Sequence, residues 1–303
     1  MGHTWRVTSP APSDRRADPA RARAVRDTLL IILALNALVV GVKIAVGFRT
    51  DALSVLGAAL ESSLDLLNNV VGIVLVGVAA RGPDEDHPYG HAKFETLGAL
   101  GIVGFLSISC FELLREGVRH LAGGTQPRAP TVGEIALVAA TMVVNVVVVR
   151  YERRRGRELD SPFLLADAAH TRSDIYVTAA ALGSLLLTRA GWGAVDPALA
   201  IVVALVIARN GYEIARGTVP VLVDERGVDA SELRREASAV RGVAAVRAAR
   251  SRRLASGVVS AELTIAVDAS MSVADAHQVA DAVEQRIARQ LGASDVLIHV
   301  EPA

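Results

Sequence analysis

LLADAAHTRSDIYVTAA, residues 164–180, is the stretch on which the reading of this chain turns. Apolar and small residues extend it on both sides to the length of a membrane span, yet it carries Asp167, His170, Arg172 and Asp174. Ionisable side chains inside a span are costly and as a rule mark an ion pathway. His170 and Asp174 stand four residues apart, so on a helix they share one face. Taken alone, H-x-x-x-D fits equally well a buried pair in which each group satisfies the other.

A second stretch separates the two readings. GAALESSLDLLNNV, residues 57–70, carries Glu61 and Asp65, again four apart inside an apolar run. If the two helices pack side by side, three carboxylates and one imidazole converge at mid-depth. Such a set suits a divalent transition ion, and four ligands fit tetrahedral zinc. A coordinated ion also offsets carboxylate charge that would otherwise be very costly in an apolar interior.

The rest of the chain supports a membrane protein. Of its 303 residues 51% are hydrophobic, and the mean hydropathy is +0.38, more apolar than soluble domains of this length. Lys plus Arg and Asp plus Glu balance at 32 each, which gives no electrostatic footprint for nucleic acid. The lone cysteine, Cys110, excludes a disulfide or thiolate cluster within one chain and reads as a small packing residue. Residues 1–24, rich in Pro, Arg, Ser and Ala without hydrophobic period, read as a disordered basic tail. The first apolar run begins near residue 28 and no small-residue cleavage site follows a short core, so no cleaved signal peptide is expected.

Six candidate spans follow, at 28–48, 52–80, 97–119, 131–149, 162–188 and 197–216, each near the roughly 20 residues a transmembrane helix needs. Residues 1–27 and the loops at 81–93 and 150–160 hold 13 Lys and Arg, against 5 in the loops at 49–51, 115–130 and 189–196. The positive-inside rule then puts both termini in the cytoplasm, and the membrane expected is the cell (inner) membrane. Composition changes after about residue 220. DASELRREASAV (229–240) suits a capped helix, a strand is expected near 243–250, and GVVSAELTIAVD (257–268) alternates as a half-buried strand does. SVADAHQVADAVEQRIARQL (272–291) reads as an amphipathic helix capped by Ser272, and DVLIHVEP (295–302) as a last strand. The expected fold class is therefore an α-helical membrane protein of six transmembrane helices over 25–219, followed by a cytosolic α+β domain of order α-β-β-α-β over 220–303.

LLADAAHTRSD, ALESSLD, the loop HPYGHAKFETLGAL (87–100) and the terminal IHVEP (298–302) together resemble the cation diffusion facilitator family of divalent-metal/proton antiporters. The resemblance runs from about residue 28 to the C-terminus. It implies a homodimer whose cytosolic domain is metallochaperone-like, and a loop able to bind metal through Asp84, His87 and His91; the bland reading of that loop is a polar turn shaped by Pro88 and Gly90. It also implies that His277, His299 and Glu301 sit at ligand positions of a metal cluster at the dimer interface. Two further positions there, often histidine in the family, are Arg247 and Thr264, and an arginine cannot be a ligand. A single site or none are equally open. Lys93 and Asp224 match positions of a charge interlock in some members. One departure is Glu61, where the family commonly has Asp or His; glutamate reaches one methylene further.

Three side chains near the site carry weaker expectations. Asp167 reads as a vestibule or helix-packing residue rather than a ligand, Arg172 as structural and paired with an acid. Asn68 and Asn69 suit either a ligand carboxylate or another helix. The function implied is secondary active transport: zinc first, with cadmium and iron(II) also accepted, is exported from the cytoplasm in exchange for protons. Ligands must be deprotonated to hold metal, and an unperturbed imidazole titrates at about pH 6.5, which makes His170 the natural proton carrier. No organic cofactor is implied. The alternatives are a membrane metal sensor without transport, and a manganese- or iron-selective exporter. A membrane metalloenzyme would need an open metal position and a motif such as H-E-x-x-H, which the chain lacks.

Overall fold

The computed structural model describes residues 19–50, 53–121, 132–189, 196–255 and 258–303. The chain divides into two compact units, Pro19–Thr218 and a second that holds Val219–Ala303.

The first unit is built from six long helices: α1 (Pro19–Thr50), α2 (Leu53–Ala79), α3 (Lys93–Leu121), α4 (Val132–Glu158), α5 (Pro162–Arg189) and α6 (Asp196–Leu222), the last of which runs on into the second unit. At about 1.5 Å per residue, even 27 residues make about 40 Å of helix, more than the roughly 30 Å hydrocarbon core of a bilayer. Among the described residues, apolar stretches long enough to cross a membrane run over 19–46, 93–115 and 135–158, with a shorter one at 65–79 in α2. Large apolar side chains such as Leu38, Phe111, Val147 and Leu205 point outward and are exposed. Outward apolar surface around an apolar core, here Leu29, Ile32, Ile102, Leu106, Phe163 and Ile207, is the pattern of helices solvated by lipid rather than water.

The starts of these helices follow from local chemistry. Proline at the first helical position has its φ preset and gives up a donor that would be unsatisfied there in any case. α5 uses this with Pro162, and Ser161 caps it by accepting the backbone N–H of Leu164 at 3.3 Å. α4 joins α5 through a tight turn in which Asp160 adopts φ 47°. Gly156 allows the close approach, since a Cβ there would lie 3.0 Å from the Leu165 side chain. Deeper in the unit, the ring of Phe163 packs directly against Gly72 of α2 and Gly98 of α3, where a Cβ would collide with it.

Two boundaries differ most from the sequence reading. Residues 19–24, expected to be disordered, form the first turns of α1. The reason is Arg21: its guanidinium donates to both carboxylate oxygens of Glu95 at 3.0 and 3.3 Å and to the carbonyls of Leu159 and Asp160. Glu95 is fully buried and also accepts from Ser161 Oγ. This network ties the start of α1 to the start of α3 and the α4–α5 turn. The second difference is at 150–158, expected to be loop, where α4 continues to Glu158. Arg154 and Arg155 both pair with Glu158 at 2.8 Å one turn away, which supports the extra turns.

The second unit contains α7 (Ala230–Ser238), β1 (Ala245–Arg253), β2 (Val259–Val267), α8 (Val273–Leu291) and β3 (Ala293–Pro302), the α-β-β-α-β order the sequence suggests. The sheet has order β1-β2-β3, with β1 antiparallel and β3 parallel to β2. The α8 crossover supplies the parallel connection. Its core is Leu233 and Ala237 of α7, Ala261, Leu263 and Ile265 of β2, and Val283 and Ile287 of α8. Ser272 caps α8 by accepting the Asp275 N–H, and Gly292 ends it in the left-handed region.

Candidate metal centre

α2 and α5 bring three of the four sequence-marked residues together. His170 Nε2 stands 3.3 Å from Asp65 Oδ1 and 3.8 Å from Asp174 Oδ2. One ligand atom from each of the three residues lies within 4.8 Å of the others. Ligands held by bonds of about 2.0–2.1 Å at tetrahedral angles stand about 3.4 Å apart, so these separations suit a small divalent ion. The His170 side chain is 12% exposed, whereas Asp65 and Asp174 are 36% and 32% exposed, so the site is reachable rather than sealed. His170 Nδ1 is buried with no hydrogen-bond partner among the described residues, which leaves Nε2 as the ring's working atom. Glu61 lies in α2 one turn before Asp65, and its side chain falls outside the described residues.

Neighbouring polar groups settle the readings left open. Among the described residues, Asn68 and Asn69 donate to a carboxylate other than that of Asp65. Their Nδ2 groups donate to Asp167, at 2.7 Å to Oδ1 and 2.9 Å to Oδ2. Asp167 is 2% exposed, so it works as a packing residue that joins α2 to α5. Arg172 pairs with an amide instead of the acid expected: it donates to Asn210 Oδ1 of α6 at 2.8 Å, and Asn210 Nδ2 donates to Ser173 Oγ at 3.1 Å. An amide supplies the acceptor at no cost in buried charge. Cys110 packs as expected, its Sγ reaching the Ala204 carbonyl of α6 at 3.4 Å.

The loop before α3 forms a second cluster, again within 4.8 Å. Asp84 meets His87 Nδ1 and His91 Nε2, each at 3.2 Å. His91 Nδ1 faces the Gly82 carbonyl at 3.1 Å; a proton on Nδ1 donated there turns the Nε2 lone pair toward Asp84, the arrangement that orients metal-binding histidines. The His87 backbone N–H, donating to Asp84 Oδ1 at 2.7 Å, holds that carboxyl below its usual range. Gly90, at φ 80°, closes the turn.

In the second unit the three sequence candidates do not meet as one cluster among the described residues. His277 contacts Asp281 one turn along α8, at 3.7 Å. His299 Nε2 is 3.7 Å from Glu301 Oε1, and the other oxygen of Glu301 is taken by Arg247 Nε at 3.2 Å. Arg247 also donates to the Pro302 carbonyl at 2.9 Å, and it sits where the β1–β2 register shifts between Val246 and Ala248.

One residue near the first cluster escaped sequence reading. Glu152 of α4 is fully buried, but its surroundings, RYERRR, look like a solvated loop. The only available signal was that α4 need not end where its hydropathy falls.

Comparison with known proteins identifies the family. Residues 29–223 match the family described as the cation efflux transmembrane domain. Residues 226–303 match the cation efflux protein cytoplasmic domain. The chain is similar to proteins named cation-efflux pump FieF from Escherichia coli O1:K1 and Escherichia fergusonii. Each is 29% identical, over 285 and 283 residues respectively, covering 92% of this chain and 93% of the relative.

Proposed function

This chain belongs to the cation diffusion facilitator (cation efflux) family, an integral-membrane transporter family and not an enzyme family, and from that premise we propose that it exports divalent transition-metal ions, zinc foremost, from the cytoplasm in exchange for protons. The observation that carries the reading is the meeting of His170 with Asp65 and Asp174 across α2 and α5, with Glu61 as the fourth ligand. One imidazole among carboxylates favours zinc-like ions over manganese, which prefers oxygen ligands.

Exchange follows from competition for the same atoms. The carboxylates and Nε2 bind metal only when deprotonated, so metal and protons displace each other. Metal enters from the cytoplasmic side, where both termini lie and where Asp84, His87 and His91 offer a first, weak landing site. It leaves on the far side as protons arrive and the helices rock. The chain works as a homodimer joined through its cytosolic domain. The Arg247–Glu301 ion pair, which occupies one candidate ligand, supports a cytosolic domain with fewer bound metals than a full cluster.

The test is zinc flux into sealed vesicles that carry the purified protein and an imposed pH gradient. Uptake that follows the gradient and collapses with it supports exchange. Metal binding without flux would make the protein a receptor.

A further inference from the structure

Glu152 is fully buried in α4, and neither of its carboxylate oxygens has a hydrogen-bond donor among the described residues. The group it meets is the carboxyl of Asp167 on α5, within hydrogen-bonding reach. Two ionised carboxylates cannot share a dry site without strong repulsion, so one of them must hold a proton. The surroundings decide which. Each oxygen of Asp167 accepts an amide N–H, from Asn68 and from Asn69. The direction of Asn69 is itself fixed, because Asn36 of α1 donates to its Oδ1 at 2.9 Å, leaving its Nδ2 to point at Asp167. Asp167 is thus supplied with donors, as an anion requires, while Glu152 has none and must be the donor.

Nearby charges do not alter this. On its own helix, Arg154 and Arg155 are engaged by Glu158, and Arg150 donates to the Val146 carbonyl. The ionisable groups that act most strongly on Glu152 from packed helices are acids: Asp167 and Asp174 on α5, and Asp65 on α2. From α1, the neighbour on the other side, Thr28 receives Arg155.

We propose that Glu152 carries a proton and donates it to the Asp167 carboxylate, forming an acid–carboxylate pair that is a proton-binding site distinct from Asp65, His170 and Asp174. A metal ion is a poor occupant, since both Asn amides direct hydrogens toward the space a cation would approach. The inference leans on the proposed exchange of metal for protons only for its use: the pair gives the transporter a second place, beside the ligand set, where a proton resides inside the helix bundle.

The test is infrared spectroscopy of the full-length protein in lipid at neutral pH. The wild type is expected to show the carbonyl stretch of a protonated carboxylic acid, and Glu152→Gln to lose it while keeping the wild-type unfolding temperature, because the amide donates to Asp167 in the acid's place. If Glu152→Gln does not fold, Glu152→Asp keeps an acid and must shift the band instead. A wild-type spectrum with no band sensitive to either substitution overturns the proposal. So does loss of the band on saturation with zinc, which would make the pair a cation site. A protein that has the band but moves no zinc in vesicles would sink the exchange reading and leave the pair standing; zinc flux without the band does the reverse.

Discussion

Asp65 and His170 are 105 positions apart in the chain, and their side chains stand 3.3 Å from one another. The contact joins the middle of α2 to the middle of α5, and Asp174 reaches the same imidazole from one turn further along. Asp174→Ala is therefore expected to abolish metal transport while the protein stays folded, because its carboxylate is one-third exposed. Zinc uptake by vesicles checks this, with circular dichroism to establish folding. Wild-type uptake by the folded variant would remove Asp174 from the site.

Ion choice should follow His170. Replacing it by aspartate makes the site all-oxygen, which suits manganese better than zinc. His170→Asp is expected to lower the zinc-to-manganese transport ratio by tenfold or more, since each tenfold corresponds to only about 1.4 kcal/mol of relative ligand preference. Competitive transport of the two ions at fixed pH reads the ratio, and an unchanged ratio would mean that the imidazole does not set selectivity.

Packing makes a prediction independent of transport. A Cβ on Gly72 would enter the ring of Phe163, which is buried at the start of α5 with Gly98 on its other side. Overpacking of this kind costs about 1–3 kcal/mol, so Gly72→Ala should lower the unfolding temperature of the purified protein. Gly104→Ala, where a Cβ meets nothing within 4 Å, should leave it unchanged. Equal behaviour of the two would mean that Phe163 is not wedged between α2 and α3.

In the cytosolic unit, Asp229 caps α7 by accepting the Ser231 N–H at 2.9 Å. That bond, followed by the Ser231 hydroxyl, holds the carboxyl below its usual range. A depressed folded-state value means stability that is present above the ordinary aspartate range and lost as pH falls through the folded value. Asp229→Ala should therefore speed amide exchange in α7 at neutral pH, and the difference from wild type should vanish in strong acid. A difference that grew on acidification would contradict the cap.

Arg247 offers a test of the cytosolic ligand positions. It holds Glu301 and the Pro302 carbonyl, and an arginine donates only. Arg247→His would free Glu301 beside His299 and add an imidazole. The variant is expected to bind one more zinc ion per chain than wild type, as counted by elemental analysis after dialysis. No gain would show that position 247 is not a ligand position.

Much of this protein was legible along the chain because the relevant signals are local. The i, i+4 pairs Glu61/Asp65 and His170/Asp174 place side chains on one face of a helix whatever that helix packs against, and long apolar runs make spans by length alone. The same is true of Ser272, whose hydroxyl caps α8 within a single turn, and of β2, whose alternation sets its faces. Partner choice is different, because it depends on how each helix is rotated against its neighbours. Only the packed structure assigned Asn68 and Asn69 to Asp167, gave Arg172 to Asn210 and drew Arg21 into the Glu95 network. It also buried Glu152, a residue whose arginine neighbours read as solvated loop. A charge looks the same in sequence whether water or a carboxylate faces it; the neighbouring helix decides which, through the desolvation it imposes and the donors it supplies.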